Sequence, residues 1–310
     1  MKRTLVSMLL CLLMLCFAAC AVQTAPQNTQ SATNGEAEKT GEADKTEKPN
    51  KPEKPEKPDK PDKPQKPEKA DKADNKDKSD KPAQNTAPLT YTLEKRERGE
   101  KDEQGTQLIE GYFSCPSVAF GDKTVEKKIN RHFLEESEDY DEDFKGYEED
   151  ARMLVKERGA QDFPTYEFTV DYADTRCDAA VTSFTEDSYV FLGGAHGSSI
   201  REGVTFDMRT GKDLDLEDIS TVSEEQTEKF VLDYLKSALK EKKYTDLGLF
   251  DGYEAYLSEV VDEDECWYMT DDAVIIVIND TVIASHAAGM IEVPIPYADF
   301  TILKSEYLPK

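Results

Sequence analysis

The sequence predicts an α+β fold: a mixed or antiparallel sheet with helices packed mainly on one side, built as two intimate halves over residues 89–200 and 201–310. Three observations predict it. Residues 166–172 (YEFTVDY) alternate apolar and polar, the period of a half-buried strand. Ala273–Ile278 (AVIIVI) is a short apolar run of β-branched residues, the mark of a central strand. Around them lie stretches whose apolar residues recur at spacings of three and four, so strands and helices share one domain.

The elements follow in order. Residues 90–96 and 108–115 read as strands. A helix is expected over 123–136, with Val125, Ile129, His132 and Phe133 on one face. A second is expected over 147–158, stopped by Gly159. After 166–172, residues 179–184 and 189–192 continue the strands. Ser223-x-x-Gln226 is a capping box opening a helix that reaches Glu241, with Phe230, Val231, Tyr234, Leu235, Ala238 and Leu239 as its stripe. In residues 213–218 (DLDLED) alternation puts Leu214 and Leu216 toward the core and the acids in solvent. A short helix over 252–261, the strand Ala273–Ile278 and a strand over 291–295 complete the order.

What precedes this region sets the address. Met1-Lys2-Arg3 leads an apolar run over 5–19 that ends Phe17-Ala18-Ala19-Cys20. A basic start, an apolar stretch and small residues before a cut site make a secretory signal. A cysteine just after the cut is the bacterial lipoprotein arrangement, so Cys20 is expected to carry lipid after removal of residues 1–19. The run is shorter than the roughly 20 residues of a membrane span. The expected location is the outer face of the bacterial cytoplasmic membrane, in the cell envelope. Residues 20–88 read as a tether: large apolar residues are missing, and a Lys-Pro beat repeats every three residues from Lys48. Such a section favours an extended polyproline conformation of about 3.1 Å per residue.

The folded region carries 51 of the chain's 65 acids but only 23 of its 39 bases, a net of −28. That charge repels nucleic acid and anionic lipid and favours cationic partners. Several constellations invite a chemical reading. Gly193-Gly194-Ala195-His196-Gly197 lies between two strands as a structural turn or ligand-contact loop. It lacks the strand-to-helix setting of a phosphate cradle, and the sequence shows no nucleophile elbow. Asp139, Asp141, Asp143 and Asp150 imitate the spacing of a calcium loop, but Phe144 stands where such a loop needs glycine. A solvated acidic loop is the expectation there. Cys115, Cys177 and Cys266 allow one disulfide and a free thiol, or buried thiols. His132 and His286 read as core histidines. No cofactor is implied.

Two stretches resemble a known family. One comprises Ser183-Phe184, Leu192-Gly193-Gly194-Ala195-His196 and Thr205-Phe206-Asp207-Met208-Arg209-Thr210-Gly211-Lys212-Asp213-Leu214. The other comprises Met269-Thr270-Asp271-Asp272-Ala273, Ala287-Ala288-Gly289 and Val293-Pro294-Ile295-Pro296-Tyr297. Their order is similar to a paired domain of unknown function on bacterial surfaces. It is found as the outer, lysozyme-binding domain of the anti-sigma factor RsiV and as the accessory domain of the peptidoglycan deacetylase PdaC. In that family a tyrosine and a proline often precede the Ala-Ala-Gly, where this chain has Ser285-His286. The resemblance implies a non-catalytic binding module on a lipid tether. Its partner would be lysozyme or another cationic wall hydrolase, or alternatively peptidoglycan glycan. An enzyme acting on wall polymers through His196 and nearby acids is the remaining class.

Overall fold

A computed structural model describes residues 90–161 and 163–309. The expected signal, the expected lipidation of Cys20 and the expected tether lie outside the described residues. The described residues all belong to one compact unit.

The first sheet has five strands in sequence order: β1 (Thr90–Lys101), β2 (Gln107–Ala119), β3 (Tyr166–Cys177), β4 (Val181–Phe191) and β5 (Ser198–Asp207). All neighbours run antiparallel except β2 and β3, which are parallel. A parallel pair needs a crossover, and the 36-residue helix α1 (Lys123–Arg158) supplies it. The mixed sheet and α+β class match the sequence expectation.

Helix α1 corrects one expectation. Two helices and an intervening acidic loop are expected; the chain forms one helix through the whole acidic block. The reason is a stripe that never breaks. Val125, Ile129, Phe133, Tyr140, Phe144 and Ala151 are buried along one side, with Tyr147 and Leu154 packed beside them. Glu135, Glu138, Asp139, Glu142 and Glu149 lie exposed on the opposite side, so the acidic block patterns the helix rather than interrupts it. Asp122 caps the start, its carboxylate accepting the N–H groups of Thr124 (3.0 Å) and Val125 (3.2 Å). Gly159, at φ 87°, ends it as expected.

The second half is a three-stranded antiparallel sheet of β6 (Trp267–Met269), β7 (Ala273–Ile278) and β8 (Ile291–Pro296), with β7 central. Every residue of β7 is buried, which is why its sequence does not alternate. Helices α2 (Glu224–Ala238), α3 (Lys242–Thr245) and α4 (Leu257–Val261) share its core: Val231, Leu235, Tyr244 and Val260 cluster with Val274, Ile276 and Ile278. Ser223 precedes α2, and Gln226 reaches back to accept its N–H at 3.4 Å.

The two sheets meet on the face of the first that α1 leaves open. Gly203 of β5 donates its N–H to Glu265 (2.8 Å), and a Cβ there would lie 1.8 Å from the Trp267 carbonyl oxygen. The N–H of Met269 donates to Ser183 Oγ (2.9 Å), and Thr175 Oγ1 donates to the Met269 carbonyl (2.7 Å).

Candidate functional site

Beyond this seam the open face of the first sheet carries a groove of about 300 Å3. Alternation places its lining: Tyr112 from β2, Thr169 and Asp171 from β3, Asp187 and Tyr189 from β4, and Arg201 from β5, with Met290 closing one side. The polar groups hold one another in place. Tyr112 (2.6 Å) and Ser114 (2.5 Å) donate to Asp171. Arg201 grips Asp187 with two bonds (2.6 and 2.8 Å) and reaches Glu292 (2.6 Å), which also accepts from Tyr268 (2.8 Å). The Asp187 bond, foremost, raises the Arg201 pKa, and the bond to Asp171 raises that of Tyr112. Lys95 Nζ sits 3.2 Å from the Tyr112 ring centroid. The result is a shallow site of phenolic rings, hydroxyls and pre-oriented carboxylates, able to present donors, acceptors and flat apolar faces together.

The glycine loop touches one residue of this groove, Tyr189. Gly193 and Gly194 adopt φ 87° and 104°, where side chains are disfavoured, and Gly197 packs so close to the Tyr189 ring that a Cβ would meet it. Ala195 and His196 are exposed. The His196 ring stacks on His286, with centroids 4.0 Å apart and planes 14° from parallel. His286 therefore corrects an expectation: it stands exposed in a short turn between β7 and β8. Its Nδ1 donates to Asp280. His132 is half-buried in its helix, edge-on to Phe206 (5.0 Å) and 3.7 Å from Asp213.

The calcium-like residues do not converge. Asp139, Asp141, Asp143 and Asp150 are strung along α1, so the expected loop is absent, and Asp141 pairs with Arg98 of β1. Among the described residues no group of three or more His, Cys, Asp or Glu is placed to hold a metal ion. What the acids do form is a stripe: Glu135, Glu138, Asp139, Glu142 and Glu149 are exposed at helical spacing along the outer side of α1. A second acidic concentration, with Glu217, Glu224, Glu228, Asp262, Glu263 and Asp264, rims a small hollow between α2 and the end of α4. Cys115, Cys177 and Cys266 are free thiols, and burial holds Cys266 far above the usual thiol range.

Tyr112, Asp171, Asp187, Tyr189 and Arg201 escape the sequence reading. The alternation in 166–172 already puts Thr169 and Asp171 on the polar face. Splitting β4 into two segments hid that Asp187 and Tyr189 continue that face on the next strand.

Comparison with known proteins agrees with this architecture. Residues 103–199 match the family described as deacetylase PdaC, and residues 217–298 match the protein family of unknown function DUF3298. The two matched segments follow one another in the order of the pair that the sequence resembles. A solved DUF3298-family structure from Bacteroides fragilis superposes with a TM-score of 0.58 at 16% identity, covering 72% of this chain and 96% of that one. Another, from Pseudomonas aeruginosa, gives 0.47 at 19% identity over 73% and 99%. The first likeness shows a shared fold. A search of curated proteins found no match.

Proposed function

We propose that this chain is a cell-surface binding module, held through lipid on Cys20, that captures a cationic wall hydrolase of the lysozyme type and performs no catalysis of its own. The acidic stripe on α1 carries the reading. Glu135, Glu138, Asp139, Glu142 and Glu149 present like charge along a rigid helix, backed by a net of −28 over the folded region. Such a surface steers a basic partner and speeds its association in a salt-dependent way. The family resemblance supports the same class of partner. Calorimetric titration of residues 82–310 with lysozyme, at low and physiological salt, tests it. Saturable binding that persists at physiological salt and drops when Glu138→Lys and Glu142→Lys are combined is expected. Absence of association even at low salt would sink it.

The groove favours a second reading, glycan recognition. Tyr112 and Tyr189 offer ring faces, while Asp171, Asp187 and Ser199 offer hydroxyl partners. Pulldown of the protein on purified wall fragments, lost with Asp171→Asn, is its expected outcome; retention equal to that of the variant would remove it.

A further inference from the structure

We propose that His196 and His286 form a two-imidazole site for a borderline divalent metal such as Zn2+, with water completing the ion's coordination. Two of the chain's three histidines come together here from separate segments, the glycine loop and the β7–β8 connection. Both rings are exposed, so an ion has open access.

The hydrogen bonds around the rings give the stack its chemical meaning. The His286 Nδ1–H donates to the Asp280 carboxylate, and the His196 Nδ1–H donates to the Gly197 carbonyl at 3.0 Å. Carboxylates and carbonyls only accept, so both protons are fixed on Nδ1. Each neutral ring then keeps its Nε2 lone pair free. A metal-binding imidazole has this arrangement: the far nitrogen donates to a carboxylate or carbonyl, which sets the tautomer and raises ligand basicity. Imidazole donors select zinc, copper and nickel over magnesium or calcium. For one ion to reach both Nε2 atoms at about 2.0–2.1 Å, the parallel rings must fan apart. The loop carrying His196 starts with two glycines in the left-handed region and lies at the surface.

Two further observations converge on the same turn. Asp280 gives one oxygen to His286, while its Oδ1 is buried and accepts no hydrogen bond among the described residues. Buried polar atoms of this kind are rare enough to need an explanation. Thr281, next in the chain, has φ 66°, an outlier for a β-branched residue. Strain of this sort persists where surrounding structure holds a functional group in place. Thr281 adjoins Asp280, the residue whose carboxylate accepts from His286. Asp280 is a positioning residue and His196 and His286 are the ligands.

The test titrates Zn2+ into untagged, chelator-stripped protein of residues 82–310 at physiological salt, with Cu2+ electron paramagnetic resonance in parallel. Expected are saturable binding at one site, a loss of about tenfold or more for His196→Ala and for His286→Ala, and about tenfold for Asp280→Asn. The copper spectrum should show coupling to imidazole nitrogens, and the metal-free melting temperatures of the histidine variants should match the parent. Uptake that is unchanged in the His196→Ala, His286→Ala double variant would place the ion on the acidic surface and overturn the proposal. So would the lack of saturable uptake at millimolar Zn2+.

Discussion

The two faces of the first sheet are held by different physics. Under α1 the contact is apolar and aromatic: Phe113, Phe133, Phe144, Phe168, Phe184 and Phe206 pack with Tyr140 and Tyr172, mostly edge-on. On the opposite face the second sheet is stitched by directional bonds. Asn279 exchanges two hydrogen bonds with the backbone of Arg201 (2.8 and 3.1 Å), Ser183 and Thr175 hold Met269, and Gly203 lets two backbones touch. The apolar face gains its stability from burial area. The stitched face depends on position, because a lost partner strands a buried donor or acceptor.

The largest expected effect breaks the apolar face. Phe133 is 1% exposed, and its ring lies 5.4 Å from those of Tyr172 and Phe184. Phe133→Ala should cost about 3–5 kcal/mol in urea denaturation. A second substitution breaks the stitched face. Gly203→Ala drives a methyl into the Trp267 backbone and should cost about 1–3 kcal/mol. Trp267, the chain's sole tryptophan and 1% exposed, reports which face failed. Its emission should shift to the red in folded Gly203→Ala and stay native-like in folded Phe133→Ala. Equal shifts in both would mean that the faces are not separable.

The same division decides what could be read from the sequence. Burial leaves a pattern: a period where one face is buried, an unbroken apolar run where both are. It exposed β3, β7, β8, α2 and the first turns of α1, and with them the fold class. It failed within α1 because nine residues of EESEDYDED drew attention to charge, although Tyr140, Phe144, Tyr147 and Ala151 carry the helical spacing straight through. Hydrogen-bond stitching leaves no period. Nothing local marks β6, only three residues long, as a strand that crosses β5, or Asn279 as a clamp on Arg201. The candidate site suffers likewise. His196 stood out beside its glycines, but its partner His286 and the Asp280 beneath it are brought in by tertiary structure alone.

Two carboxyls, one on the sheet beneath α1 and one in the helix's own first turn, sharpen the comparison, because their pKa values are shifted in opposite directions. Glu202 stands directly across from Glu186 in the β4–β5 register, and Tyr172 donates to Glu186. Burial first, then the charges of Glu186, Glu265 and Glu136, holds the Glu202 carboxyl well above the usual range. The folded state thus binds this proton more tightly than the unfolded chain. Its contribution is complete in acid and is lost as pH rises through and above the ordinary carboxylate range. Glu202→Gln should flatten that decline and, by removing a like-charge cross-strand pair, stabilise the neutral-pH protein by up to about 1 kcal/mol. A melting curve series in which the variant falls with pH as steeply as the parent would refute this.

Glu126, at the start of α1, shows the reverse and the smallest effect. Its carboxylate accepts from Lys123 (2.7 Å) and from the N–H groups of Phe120 (2.9 Å) and Gly121 (2.7 Å), which together pull its pKa down to about 2. The Lys123 partner is largely in solvent, so the ion pair itself contributes little. The backbone bonds matter more, since they tie the end of β2 to the first turn of the helix. A depressed carboxylate stabilises the fold above its unfolded pKa, and that stability drains away as pH falls toward about 2. Glu126→Gln keeps an acceptor for the two N–H groups but has no charge to lose. Acid titration by circular dichroism should therefore show the variant starting less stable at neutral pH and losing less below the ordinary carboxylate range. An acid limb as steep as the parent's would mean that other carboxylates along α1, not this one, govern unfolding in acid.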